Sequence, residues 1–146
     1  MNSIMLIHGP NLNLLGEREP EIYGRSTLED YVDRVRSHAL QIGFSIEAVQ
    51  SNAEGEIVDA IHRARLEHDA IIINAGALTH YAWSLHDALA AFSGPVIEVH
   101  ISQPNAREPW RHTSVIAPAA SGSIAGFGIL GYELAVSAIA SLLGKV

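Results

Sequence analysis

The 146-residue sequence contains no cysteine, and its only lysine is Lys145, next to the C-terminus. Without cysteine the chain has no disulfide, no thiol nucleophile and no zinc–thiolate site. A lysine that forms a Schiff base belongs in a desolvated pocket on a rigid element, and Lys145 is badly placed for that. The residue inventory therefore removes thiol chemistry and disfavours imine chemistry.

Basic charge and long apolar runs are also scarce. The net charge is −7 and the isoelectric point is near 5.5, which argues against a nucleic-acid partner, because such proteins display a basic face to phosphates. No segment reaches the ~20 apolar residues that a membrane span needs, and the first residues lack the basic start of a signal peptide. We expect one domain over residues 1–146, soluble and cytoplasmic, without a nucleic-acid or membrane partner.

Short apolar runs alternate with segments of helical period along the whole chain. Strands are predicted at residues 3–8, 44–50, 70–74 and 96–100, with a fifth at 123–126 preferred over 115–117. Capping boxes at 26–29 and 51–54 begin two helices, and further helices are predicted at 81–92 and 132–143. This order predicts an α/β flavodoxin-like three-layer sandwich with a five-stranded parallel sheet, in which ligands bind beyond the carboxyl ends of the strands.

The connection after the first strand is unusually long. Residues 9–24 hold Asn11, Arg18 and Tyr23 among glycines and prolines, and long ordered loops of this kind usually carry function. The Gly-x-Gly-x-x-Gly and Gly-Lys-Ser/Thr patterns of phosphate-binding loops do not occur. The segment is interpreted as a lid that brings charge to a pocket.

Polar residues collect where the predicted strands end. Asn11 follows the first strand, Asn74 ends the third and His80 lies beyond it; His100 ends the fourth, with Ser102, Arg107 and Arg111 after it. Each residue alone is equally well explained as a helix cap or a solvated loop residue. Together they indicate a small-molecule site at one edge of the sheet.

Two pairs in this set suggest acid–base chemistry. Glu98 and His100 are two apart on a strand and project to the same face, so the carboxylate would fix the tautomer of the imidazole and favour its protonated form. Tyr23 is the candidate base, but a free phenol with a pKa of ~10 needs a nearby cation, for which Arg18 is the candidate. A strand-end ion pair and a tyrosine that merely anchors the loop are the competing interpretations.

Two other function classes stay open at this point. One is a non-catalytic flavodoxin-like module that binds a nucleotide or a protein; the other is a metal-dependent hydrolase that uses the histidines. The eight histidines show no His-Glu-x-x-His or other tight ligand spacing, so a metal is the least favoured interpretation.

The motifs closely resemble those of type II 3-dehydroquinate dehydratases, nearly from end to end. The matching segments are Gly9-Pro-Asn-Leu-Asn-Leu-Leu-Gly16, Arg18-Glu-Pro, Tyr23-Gly24, Ser51-Asn, Glu54-Gly-Glu, Asn74-Ala-Gly76, Thr79-His80, Glu98-Val-His-Ile-Ser102, Ala106-Arg-Glu108, Gly126-Phe-Gly and Gly131-Tyr132. The resemblance implies anti elimination of water from 3-dehydroquinate to give 3-dehydroshikimate, with no metal or organic cofactor, in shikimate synthesis or quinate breakdown.

The resemblance also implies roles for the proton-transfer residues. Tyr23 would take the proton beside the ketone, and Arg18 would support its phenolate. His100 would protonate the departing hydroxyl, with Glu98 orienting it. Asn11 would position a water molecule that stabilises the enolate.

The remaining residues would bind substrate and complete the assembly. Asn74 and the backbone of Ile101 and Ser102 would hold the substrate carboxylate, while His80 and Arg111 would bind its hydroxyls. Asp87 would reach the site of a neighbouring subunit in a dodecamer built of trimers. Departures from the usual family residues occur outside the proton-transfer set, at His8, Leu78, Tyr81-Ala-Trp83, Gln103 and Asn105.

Overall fold

The computed structural model describes all residues from 1 to 146. Its five strands are β1 (Asn2–His8), β2 (Phe44–Gln50), β3 (Ala70–Asn74), β4 (Val96–His100) and β5 (Gly122–Ala125). All neighbouring strands run parallel, in the order β2-β1-β3-β4-β5. The predicted five-stranded parallel sheet with flavodoxin-like order is confirmed.

Helices cover both faces of this sheet. They are α1 (Pro20–Tyr23), α2 (Leu28–Gln41), α3 (Glu54–Glu67), α4 (Trp83–Ala90) and α5 (Leu130–Leu142). The single turn α1 lies inside the predicted lid, where sequence reasoning expected only loop. No helix combines the length and the apolar character that crossing a bilayer requires.

The alternation of side chains along β1 divides the core in two. Ile4 and Leu6 are buried against α2 and α5, whereas Met5 and Ile7 are buried against α3 and α4. Residues two apart on a strand share a face, so β1, β3 and β4 each supply side chains to both halves of the core. The result is the three-layer arrangement that the sequence predicts.

The first predicted capping box lies one residue too early. Thr27, rather than Ser26, is the N-cap of α2: its hydroxyl accepts from the Asp30 amide, and the Asp30 carboxylate accepts from the Thr27 amide. Two overlapping Ser/Thr-x-x-acid patterns occur here, and the structure uses the second.

The second predicted capping box, at 51–54, is wrong. The Ser51 hydroxyl accepts from the amide of Ala53 and donates to Glu56, so it does not cap the helix. Ala53 is the N-cap of α3 and offers no side-chain acceptor. Ser51 therefore closes a short turn before the helix.

Other boundaries move by one or two residues. Strand β5 lies one residue before the predicted 123–126, and α5 begins two residues before the predicted Tyr132. The predicted helix at 81–92 is shorter, because a 3₁₀ turn at Gly76–His80 precedes it and α4 spans only Trp83–Ala90.

Two glycines bring the loops after β1 and β3 into contact. A Cβ on Gly9 would lie 2.3 Å from the Ala75 carbonyl oxygen, and one on Gly76, whose φ is +58°, would lie 2.9 Å from the Pro10 carbonyl oxygen. Side chains larger than hydrogen would push these loops apart. The close approach holds the loop that carries Asn11 against the end of β3.

Candidate active site

A pocket opens at the carboxyl edge of the sheet. Its walls come from the loops that follow β1, β3 and β4, which is where parallel α/β sheets place ligands. Most of the sequence-predicted site residues line it: Asn11, Arg18, Tyr23, Asn74, His80, His100, Ile101, Ser102 and Arg111. The sheet thus brings together residues that are up to a hundred positions apart in the chain.

Arg107 is the cation that contacts the Tyr23 hydroxyl. Its Nη1 donates to that oxygen at 2.6 Å and to the Ser102 hydroxyl at 3.1 Å. The Arg107 side chain is only 12% exposed. The hydrogen bond is therefore held largely out of solvent, where an ionic interaction is screened less.

Arg18 takes a different position from the one that spacing suggested. Its guanidinium carbon lies 5.5 Å from the centre of the Tyr23 ring, and it pairs with Glu19 at 2.8 Å. Arg107 was expected at this edge of the sheet, but no role was predicted for it. The available signal was its position soon after β4, on the same edge as the lid.

The Glu98–His100 pair is the most enclosed part of the site. His100 Nε2 lies 2.5 Å from Glu98 Oε2, and Thr79 and Ser114 both donate to the same carboxylate at 2.7 and 2.9 Å. Burial alone would raise the pKa of the Glu98 carboxyl, but the His100 interaction and the two hydroxyls outweigh it and hold that pKa below its usual value. Glu98 is ionised at neutral pH, and it fixes the imidazole.

His80 is held in one tautomer at the pocket wall. Its Nδ1 lies 2.7 Å from the Thr113 carbonyl oxygen, which can only accept, so Nδ1 carries the proton. Burial lowers the pKa of His80, with a smaller opposing effect from that hydrogen bond. The neutral ring leaves Nε2 as an acceptor.

Arg111 is fixed beside His80 by its neighbours. Its Nε donates to Glu108 at 2.7 Å, and its guanidinium carbon lies 4.0 Å from the centre of the Trp110 ring. The same indole meets the His80 ring edge-on, at 5.4 Å between centres. Trp110 thus supports both residues that were predicted to bind substrate hydroxyls.

The backbone of Asn11 is fixed by the Asn52 side chain, and Asn74 is buried at the end of β3. Asn11 has a left-handed conformation with φ of 69°, and its N–H donates to the Asn52 side-chain oxygen at 3.0 Å. That N–H is therefore occupied within the protein. Asn74 is 3% exposed and ends β3 at the pocket floor.

Two predicted site residues do not line this pocket. Glu98 is buried behind His100 and acts on the pocket only through that ring. Asp87 lies on α4 with its side chain 85% exposed, and its contact is with His86. The assignment of Asp87 to a neighbouring subunit's site stays a prediction.

The charge of the pocket contrasts with the charge of the chain. Three arginines, Arg18, Arg107 and Arg111, line the pocket of a protein whose net charge is −7. A concave site with this lining attracts anions and repels cations. The arrangement suits a small ligand that carries a carboxylate.

Metal-ligand residues meet in one place, and it is outside the pocket. Glu47, Glu67 and His68 bring ligand atoms within 4.8 Å of one another. The Arg63 guanidinium already lies there, at 2.6 Å from Glu47 and 3.2 Å from Glu67. The cluster is an ion-pair network, and the metal-dependent hydrolase gains no support from it.

Comparisons with known proteins agree on one family. The family described as dehydroquinase class II matches residues 2–140. The chain is 54% identical over 144 residues to a 3-dehydroquinate dehydratase of Caldicellulosiruptor bescii, covering 98% of this chain and 99% of that protein. It is similar to the crystal structure of the type II dehydroquinase from Propionibacterium acnes, with a TM-score of 0.93 and 40% identity over 97% of both chains. The type II dehydroquinase from Butyrivibrio crossotus gives a TM-score of 0.92 and 44% identity over 94% of this chain and 97% of that one.

Proposed function

This chain belongs to the class II dehydroquinase family and is a hydro-lyase of that class, and from this premise we propose that it removes water from 3-dehydroquinate by cofactor-free anti elimination. The observation that carries the mechanism is a tyrosine hydroxyl bound by a largely buried arginine, in the same pocket as a histidine bound by a buried carboxylate. One pair supplies a base and the other an acid.

Tyr23 is the base in this proposal. As a phenolate it takes the proton from the carbon beside the ketone, and the electron pair of that C–H bond moves onto the ketone oxygen to give an enolate. The Arg107 guanidinium, 2.6 Å from the phenol oxygen, stabilises the phenolate directly. Arg18, over the ring, adds positive charge on a second side.

Asn11 and a water molecule that it positions would stabilise the enolate oxygen, a role typically worth a few kcal/mol. His100 then supplies the second proton. Glu98 holds Nε2, so Nδ1 is the ring nitrogen that donates to the departing hydroxyl. The C–O bond breaks, the enolate electrons form the new C=C bond and water leaves.

The atoms balance without a redox partner. One proton moves to Tyr23, one leaves His100 and one water molecule is released, and proton exchange with solvent restores both side chains. The substrate carboxylate would be held by Asn74 with the Ile101–Ser102 backbone, and its hydroxyls by Arg111 and by the Nε2 acceptor of His80. Asp87 would complete the site of a neighbouring subunit in a trimer-based dodecamer.

Ultraviolet absorbance after addition of 3-dehydroquinate tests this function, because the conjugated product absorbs where the substrate does not. Tyr23→Phe and His100→Ala should each lower turnover by ~10²–10⁴-fold. Tyr81→Phe and His62→Ala are matched controls, since both residues are exposed and lie outside the pocket. A Tyr23 or His100 variant within a few-fold of wild type would remove that residue from its role.

A separate experiment tests the proposal that the reaction uses neither a metal nor an imine. Activity should survive exhaustive chelation, and borohydride added with substrate should leave the enzyme active. Activity that is lost on chelation and restored by one metal would contradict the mechanism, as would a reduced covalent adduct seen by mass spectrometry.

A further inference from the structure

A fully buried hydrogen-bonded chain runs from His8 to the pocket. His8 and Asn74 are register partners on β1 and β3, and both face α5, which supplies Tyr132. The Tyr132 hydroxyl lies 3.0 Å from His8 Nε2 and 3.0 Å from Asn74 Nδ2. His8 and Tyr132 have no exposed surface, and neither has a role in the reaction above.

The direction of each hydrogen bond follows from the backbone. The Gly76 amide donates to Asn74 Oδ1 at 3.2 Å, so the Asn74 oxygen faces that amide and its nitrogen faces Tyr132. Asn74 Nδ2 therefore donates to the Tyr132 oxygen. The tyrosine's own proton must go to another acceptor, and His8 Nε2 is the one within reach.

This order requires a neutral His8 with its proton on Nδ1. That nitrogen has no hydrogen-bond partner, so one buried group is unsatisfied. The opposite tautomer would leave two groups unsatisfied, the Nδ1 lone pair and the tyrosine proton, and such groups are costly when buried. Burial also lowers the pKa of His8 to about 3, which keeps the ring neutral over the working range of pH.

At the pocket, the Asn74 side chain can therefore only donate a hydrogen bond to a ligand. The Asn74 oxygen and one of its N–H groups are committed inside the protein, which leaves its second N–H for the ligand. An amide locked in this way offers a donor and no acceptor. It favours a ligand atom that accepts, such as a carboxylate oxygen, and disfavours a donor at the same point.

We propose that His8 and Tyr132 are positioning residues that lock the Asn74 carboxamide with an N–H toward the substrate carboxylate. The identity of the ligand group rests on the proposed function, but the order of the hydrogen bonds does not. These hydrogen bonds would affect substrate binding rather than proton transfer, since none of them is made to Tyr23 or His100. Its loss should therefore raise KM and leave kcat nearly unchanged.

Kinetics of matched variants test the positioning role. Tyr132→Phe and His8→Leu remove a hydroxyl and its acceptor, and each should raise KM for 3-dehydroquinate about tenfold, the scale of one hydrogen bond to a charged group, with kcat within about threefold. His8→Gln should keep KM near wild type, because the glutamine oxygen replaces Nε2 as acceptor. Tyr81→Phe is the control for deletion of a hydroxyl. An unchanged KM in Tyr132→Phe, or equal effects of Leu and Gln at position 8, would overturn the proposal.

Nitrogen-15 NMR of histidine-labelled wild type provides a readout that needs no substrate. The His8 ring, assigned by the loss of its signals in His8→Gln, should show a protonated Nδ1 and an unprotonated Nε2 from pH 8 to pH 5. A proton on Nε2, or a cationic ring in this range, would overturn the proposal even if Tyr132→Phe fails to fold. A wild type without turnover would contradict the proposed function instead, and the NMR result would still decide the hydrogen-bond order.

Discussion

Because the imidazole of His8 is buried, it should make the stability of the protein depend on pH. The substitution His8→Gln should remove this contribution. Burial lowers the pKa of His8 from 6.5 to about 3 in the folded chain. On unfolding the ring recovers its ordinary pKa and binds a proton below pH 6.5. The unfolded state therefore gains protons as the pH falls, and the stability present above pH 6.5 is progressively lost on acidification.

The size of the effect follows from these two pKa values. Between pH 7.5 and pH 5 the unfolded ring goes from almost neutral to almost fully protonated, while the folded ring stays neutral. The free energy of unfolding should fall by about 2 kcal/mol over this interval because of His8 alone. The folded pKa lies well below pH 5, so its position has little influence on this figure.

Chemical denaturation of wild type and His8→Gln at pH 7.5, 6.5, 5.5 and 5 measures the difference. Other titrating groups are common to both proteins, including Glu98, whose lowered pKa also costs stability in acid. Their contributions cancel when the two pH profiles are subtracted, provided that the protomer concentration is fixed in case the subunits associate. The wild type should lose about 2 kcal/mol more than the variant. Parallel profiles would show that the His8 ring is not held neutral by burial.

Three further predictions concern the lid and the assembly. Arg107→Gln should lower kcat more than Arg18→Gln does, because Arg107 contacts the Tyr23 oxygen and Arg18 only its ring; the reverse order in steady-state kinetics would return the role to Arg18. Asp87→Ala should be nearly inactive, and mixing it with Tyr23→Phe in hetero-oligomers should restore activity, whereas active monomers in analytical ultracentrifugation would contradict a shared site. Trypsin should cleave the free protein at Arg18 or Arg25 and spare it when a substrate-like inhibitor is bound; equal cleavage rates would mean that the lid does not close.

The sequence predicts the bounds of the strands more accurately than the starts of the helices. Strands β2, β3 and β4 have the predicted bounds. Strands β3 and β4 are mostly apolar and buried in the sheet, whereas the edge strand β2 alternates apolar and polar residues from Phe44 to Glu47. The starts of the helices are predicted less accurately: two capping patterns overlap before α2, and the structure uses Thr27 rather than Ser26.

The location of several site residues could be predicted from the order of the strands, but their side-chain contacts could not. The strand-end rule brings Asn74, His80 and His100 to one pocket without any knowledge of their contacts. The partner of Tyr23 was not predictable, because Arg107 is 84 residues away and Arg18 is in the same loop. Local spacing favours the near arginine, whereas the fold supplies the far one.

The contact between Arg107 and Tyr23 connects the proposed base to the strand that carries the proposed acid, His100. Glu98 and His100 end β4, and Arg107 follows in the segment after it. The carboxyl end of β4 therefore holds the proposed acid directly and contacts the proposed base through one hydrogen bond. Tyr23 itself belongs to the predicted lid, residues 15–25, in which only Leu15 is buried, so we expect the local stability of this segment to be low. If the lid opens, the Tyr23 phenol loses its contact with Arg107 and becomes a poor base, whereas His100 keeps its contact with Glu98. We therefore expect lid closure to activate the base and enclose the substrate in a single step, so that proton abstraction cannot precede closure.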